Sequence, residues 1–177
     1  SAVYSEDIRS ALAERNIPVL KLAAGDIVNL SGGVALNVLS PDKASIRRSD
    51  ADEMDANEES LVFRLTFGTF SMLFTADAGF SAEQQMLSGG YELESTVLKV
   101  GHHGSRYSTS EEFLERVRPE LALISADANN RFGLPSSRTL DLLKRDKVQI
   151  YRTDQDGTIE LVSDGLSWSV ATPYKHN

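Results

Sequence analysis

The chain contains no cysteine, so disulfide bonds and thiolate metal sites are both excluded, and the redox compartment stays undecided. Long apolar runs are missing too. No stretch approaches the ~20 residues that a bilayer-spanning helix needs, and no charged-then-apolar leader opens the sequence. Histidine is scarce, with three in 177 residues, so an imidazole metal site has few positions to draw on. Basic residues are outnumbered: 18 Lys and Arg against 26 Asp and Glu give a formal net charge of −8. Polyanions such as DNA are held by cations that displace counterions, so the chain as a whole is a poor non-specific nucleic-acid binder. Chemistry on DNA would need a local basic patch, a bound cation or help from another part of the protein. What is present is the balance of a folded protein, 41% apolar and 25% charged residues, in a length suited to one domain with a real core.

Ile8, Ala11, Leu12 and Arg15 fall at helical spacing and predict a helix from Ser5 to Asn16, with Ser5 as N-cap and Pro18 forbidding continuation. Short strands are expected at Val19–Leu22, Ile27–Leu30 and Val34–Leu39, a meander punctuated by Gly25-Asp26 and Gly32-Gly33. Residues 41–59, rich in Asp, Glu, Ser, Arg and Ala, read as a long exposed loop. Ser60–Phe67 and Phe70–Thr75 read as a tight hairpin turning at Gly68-Thr69. The continuous apolar run Met72-Leu73-Phe74 suits a strand buried on both faces. Helices over Ser81–Leu87, Ser110–Val117 and from Ser136 or Ser137 to Arg145 then alternate with strands at Thr96–Val100, Leu121–Ser125 and Val148–Tyr151. Asp156-Gly157 and Asp164-Gly165 are expected to turn two closing hairpins. The result is a mixed α/β domain over 1–177.

Three local features can carry chemistry. Asp77 follows a buried strand, where ligands of α/β sheets gather; it also suits a plain turn cap. His102 and His103, flanked by glycines, again end a buried strand. Neighbouring side chains point different ways, so one imidazole can ligate a metal while the other meets substrate; a polar turn with one hydrogen-bonded histidine is the equal alternative. The loop Asn129-Asn130-Arg131-Phe132-Gly133-Leu134-Pro135 can line a cleft, with Arg131 reaching a phosphate, or be an ordinary turn.

Their order is more specific than any one of them. A strand-end Asp, a strand-end His-His-Gly-Ser and an Asn-Asn-Arg loop before a helix resemble the second half of metallo-β-lactamase-fold hydrolases. More narrowly the chain resembles the ComEC-type competence branch. The matching segments are Asn57-Glu58-Glu59-Ser60-Leu61-Val62, Leu73-Phe74-Thr75-Ala76-Asp77, Leu98 to Ser105, Tyr151 to Gly157 and Ser163-Asp164-Gly165. Together they run over nearly the whole chain.

The resemblance implies an αββα sandwich, of which this chain is the mixed-sheet half, with two divalent metals, zinc or manganese, at one sheet edge. It assigns Asp77 to the carboxylate shared by both metals and His103, ahead of His102, to a ligand of the second. His102, Asn130 and Arg131 become catalytic or substrate-contacting candidates. The implied chemistry is metal-assisted hydrolysis of a DNA phosphodiester. The implied partners are a membrane channel and incoming single-stranded DNA, and the implied place is an extracytoplasmic domain of a bacterial membrane protein.

The family's His-x-His-x-Asp-His motif is absent, and the remaining histidine is His176, near the terminus. One carboxylate and one histidine pair cannot fill a two-metal site. The expectation is therefore the C-terminal part of a single domain, holding no metal or a partial set, and inert without the N-terminal half that would bring the other ligands. A half sandwich would expose an apolar sheet face, for which a homodimer is one remedy. Leu134-Pro135-Ser136 stands where the family often has His-Pro-His, and Ala76 replaces the usual Gly. Two other readings compete: a degenerate, non-catalytic interaction module of a DNA-uptake channel, and another hydrolase of the superfamily. The segments Tyr151–Asp154 and Ser163–Gly165 weigh against the latter.

Overall fold

The computed structural model describes residues 2–44 and 59–173, with side chains from residue 7 onward. The Ser5 side chain, most of the 41–59 loop, Asn57, Glu58 and His176 lie outside the described residues. Helix α1 (Ala2–Glu14) leads to strands β1 (Ile27–Asn29), β2 (Val34–Ser40), β3 (Val62–Phe67) and β4 (Phe70–Phe74). Helices α2 (Phe80–Ser88), α3 (Glu111–Val117) and α4 (Ser137–Arg145) then alternate with β5 (Val97–Lys99), β6 (Leu121–Ile124) and β7 (Gln149–Arg152). A single helical turn, α5 (Thr153–Asp156), precedes β8 (Glu160–Ser163) and β9 (Trp168–Ala171).

Seven strands form one sheet in sequential order, β1 to β7, and β8–β9 form a second, two-stranded sheet. The connections explain the directions. Two residues join β3 to β4 at Gly68-Thr69, with Phe67 opposite Phe70, which forces an antiparallel pair. Between β4 and β7 each connection carries a helix, and β4, β5, β6 and β7 run parallel. Their carboxyl ends therefore share one edge, the edge where α/β sheets place their ligands.

Period-2 alternation splits the apolar residues between the faces. Leu73, Leu98 and Ala122 point to one side, where Ala82, Met86, Phe113, Leu114 and Leu143 of the helices complete the larger core. Met72, Val97 and Leu121 point to the other, with Leu161, Trp168 and Val170 of β8–β9 packed against them. The face expected to lie bare thus carries the chain's own terminal hairpin. Ser110 and Ser136 cap α3 and α4 by accepting from Phe113 N and Thr139 N.

Two expectations are corrected. Val19–Leu22 is not a strand: Val19 and Leu20 are exposed, and among the described residues no strand pairs with them. Apolar character does not hold a segment extended without a ladder partner. Asp156-Gly157 is not a hairpin turn either. The Asp156 carboxylate accepts from Arg152 N at 2.6 Å and closes α5 instead, so the chain leaves the large sheet for the small one.

The hairpin is docked by its tip. Gly165 O accepts from Thr69 N at 2.7 Å and from Thr69 Oγ1 at 3.1 Å, which brings two turns into backbone contact. Gly68 is required there: it sits at φ +57, and a Cβ on it would lie 2.4 Å from Gly165 O. Gly68→Ala is therefore expected to destabilise the fold by about 1–3 kcal/mol in urea unfolding. An unchanged midpoint would show that the hairpin tip is not held against β3–β4.

Candidate functional site

Strand ends and their fastenings build the site. Beyond β4 the backbone is pinned twice: Thr75 Oγ1 donates to Lys99 O at 2.7 Å, and Asp77 N donates to Ser60 Oγ at 3.2 Å. The second bond gives Ser60 a definite task in fixing Asp77. Between them Ala76 is left-handed, at φ 46, and its carbonyl accepts from His102 N at 2.8 Å. A left-handed alanine is disfavoured by about 1–2 kcal/mol, a cost that glycine would not carry. Ala76→Gly is expected to raise unfolding stability by about 1 kcal/mol without moving Asp77. A loss of stability would contradict that backbone conformation.

Beyond β5, His102 and His103 both adopt left-handed backbone, at φ 47 and 56, within the short turn Gly101–Gly104. Such a pair persists only where its surroundings over-determine it. Here they do. The buried Ser108 hydroxyl lies 2.9 Å from Gly101 O and 3.1 Å from Ser105 O, Thr139 Oγ1 donates to Ser105 O at 3.0 Å, and Ser136 N donates to Gly104 O at 2.9 Å.

The outcome is that His103 Nε2 lies 3.9 Å from Asp77 Oδ1, both side chains about half exposed. His103 Nδ1 lies 2.9 Å from Ser125 O at the end of β6. A carbonyl can only accept, so Nδ1 carries the proton, and in the neutral ring Nε2 is the nitrogen left to accept. Two acceptors this close could share a cation. Donors at ~2.1 Å from one tetrahedral metal would be ~3.4 Å apart, so a closure of about half an ångström would let both bind. Lys99 stands nearby: burial pushes its ammonium below the usual range, and the Asp77 charge acts in the opposite sense. Among the described residues no three or more His, Asp or Glu side chains gather as a metal site.

His102 stands apart from its neighbour's ring. The two rings are 6.4 Å apart and steeply inclined, and His102 lines, with His103, Ser105, Arg106 and Phe132, a cleft of about 520 Å3. Asn130 is spent on its own loop: its amide donates to Asp127 O and Leu134 O, and its oxygen accepts from Leu134 N. Arg131 lies over the Phe132 ring, 5.2 Å from its centroid, on a second cleft of about 460 Å3 that also reaches His103.

One residue escaped the sequence reading altogether. Glu83 of α2, fully buried, accepts from Thr109 N and, at 2.8 Å, from Ser110 N. It therefore ties the helix that follows Asp77 to the segment that follows the histidines. Arg138 supports the same corner by donating to Ser108 O and Thr109 O. A glutamate in the first turn of a helix looks like dipole decoration in sequence, so only the fold reveals this use. Burial pushes the Glu83 carboxyl above its usual range, against the bonds from Ser110 and Thr109 and the Arg138 charge. The folded state thus holds this proton more tightly than the unfolded chain. Stability from this group is complete below the ordinary glutamate range and is lost as pH rises through the raised value. Denaturation from about pH 4 to 8 should show wild type losing ground to Glu83→Gln as pH rises. A difference independent of pH would refute the shift.

What fold and site define is a mixed α/β domain that presents a carboxylate and an imidazole on the ligand-bearing edge of its parallel strands. No family model matches the chain. Individual relatives do. It is 35% identical over 155 residues to ComE operon protein 3 of Bacillus subtilis (strain 168), covering 88% of this chain and 19% of that protein. It is 33% identical over 129 residues to Recombination protein 2 of Haemophilus influenzae, covering 73% and 15%. It is 32% identical over 116 residues to Competence protein ComA of Neisseria gonorrhoeae, covering 65% and 17%. The chain belongs with these ComEC-type competence proteins, and it spans less than a fifth of the length of each. Among the described residues no helix is long and apolar enough to cross a membrane.

Proposed function

We propose that this chain is the mixed-sheet half of a metallo-β-lactamase-like αββα domain that hydrolyses DNA phosphodiesters with divalent metals during DNA uptake at the cell envelope. The observation that carries the reading is that His103 Nε2 lies 3.9 Å from Asp77 Oδ1 at the common end of β4 and β5, while Nδ1 is engaged by Ser125 O. The names of the competence-protein relatives support the setting. Asp77 and His103 would each hold a divalent cation, zinc or manganese, whose ligand shell must be completed by residues outside those described. When bound, such cations polarise a phosphoryl oxygen and make water a competent nucleophile near neutral pH.

The chain's own groups do the remainder. Ser125 O keeps the proton on Nδ1 of His103, so the metal-facing nitrogen is basic. Ser60 and Thr75 hold Asp77 at the strand end. His102 lines the cleft beside His103, and in this reading it meets a leaving group or phosphate oxygen. In this reading the isolated chain is inactive, and the extracytoplasmic setting and channel partner belong to the longer protein. Leu134 and Ser136, where histidines are usual in the family, favour a second reading: a domain that retains the fold and binds without cleaving.

The test is a nuclease assay on the full-length protein, or on the domain extended upstream, with single-stranded DNA and Mn2+. Asp77→Ala and His103→Ala are each expected to lower the rate at least 100-fold, roughly the scale of losing a metal ligand. Cleavage that survives both substitutions would overturn the assignment; an intact wild-type domain that binds the strand without cleaving it would favour the binding reading.

A further inference from the structure

Two clefts meet at His103, one running toward Arg106 and Ser136, the other toward Asn129 and Arg131. Phe132 and Leu134 border both. Phe132 is 71% exposed, a large apolar ring left in water on a ridge beside the candidate reaction centre. Arg131 lies over that ring, and Arg106 lines the first cleft. In a chain of net charge −8 this is a concentration of cation and aromatic surface against the general trend. The acid on the second cleft, Asp127, has its Oδ1 turned to the loop's own Asn129 N.

We propose that Phe132 is a stacking residue for an unpaired nucleic-acid strand laid across both clefts, with Arg106 and Arg131 holding phosphates on either side of His103. This deepens the hydrolase reading and rests on it for the position of the scissile phosphate. The chemistry favours this occupant over others. A small phosphorylated metabolite would fill one cleft and leave the second, with its arginine, unused. A duplex keeps its bases stacked on one another and offers no open π-face to the ridge, whereas an unpaired strand offers one at every nucleotide. The guanidinium over the ring reinforces a base stack and remains within reach of the backbone. Crossing both clefts also means that the strand continues past the site in each direction, so internal phosphates are accessible as well as terminal ones. Phe132 is then a specificity residue. It distinguishes single strands from duplexes without reading sequence, because every base has a π-face.

The 177-residue chain is titrated in low salt with EDTA, with fluorescence anisotropy of labelled 12-mers read for single-stranded DNA, single-stranded RNA and duplex DNA. EDTA removes metal and cleavage from the measurement, so it succeeds or fails independently of the Asp77 and His103 assay. The expected result is preference for single strands. Phe132→Ala should weaken them by roughly 5-fold or more with an unchanged salt slope, and Phe132→Trp should bind like wild type. Arg106→Ala and Arg131→Ala should each reduce the salt slope by about 0.7, one phosphate contact apiece. DNA bound better than RNA would assign the strand's source as DNA; equal binding would assign recognition to stacking and phosphate alone, and both accord with the proposal. Binding that is equal for duplex, indifferent to Phe132→Ala, or absent in the wild-type chain would overturn it. Exposure of Phe132 and both arginines means that these variants should fold, which circular dichroism verifies.

Discussion

Parallel pairing of β4 through β7 is the constraint on which the other features rest. These strands end at the same edge because the three connections between them are crossovers rather than hairpins. Asp77, His102-His103 and the 126–134 loop are separated by more than twenty residues in sequence, yet they emerge side by side. A hairpin at any of these crossovers would send one group to the opposite edge. Burial of Leu73, Leu98 and Ala122 under the helices drives the arrangement, and chemistry is a consequence of its topology.

Topology brings the residues near one another, and buried polar bonds fix them. The His102-His103 turn is unfavourable backbone for any residue but glycine, and it is clamped by hydroxyls of Ser108 and Thr139 and by the Ser136 amide. Glu83 joins the segments behind Asp77 and behind the histidines. This is a desolvated carboxylate in a role that an apolar side chain could not take, since it satisfies two backbone donors at once. The site is thus rigid at its back. At its front lie the exposed ring of Phe132 and the two clefts.

Much of this was legible in the sequence. Gly68-Thr69 announced a turn through local rules, and the run from Met72 to Asp77 announced a buried strand with an acid at its end. The neighbourhood of Asp77 and His103 followed from the order of motifs. Two classes of feature were not legible. Val19–Leu22 and Asp156-Gly157 were misread because local propensity says nothing about whether a ladder partner exists or which sheet a turn leads to. Glu83, Ser125 and Ser60 act through bonds across 17 to 27 residues, and nothing local marks a side chain or carbonyl for such a partner. Asn130 illustrates the converse: it was conspicuous as a polar loop residue, and its atoms brace the loop itself.

The central claim is that Asp77 and the free nitrogen of His103 form one half of a cation seat on that common edge. Amide and imidazole NMR spectra of the chain during a Mn2+ titration address it most directly, because a paramagnetic ion erases signals according to distance. The account predicts that broadening begins at Asp77 and His103, with His103 in its Nδ1–H tautomer, and that EDTA reverses it. Broadening centred elsewhere, or a proton on His103 Nε2, would contradict it.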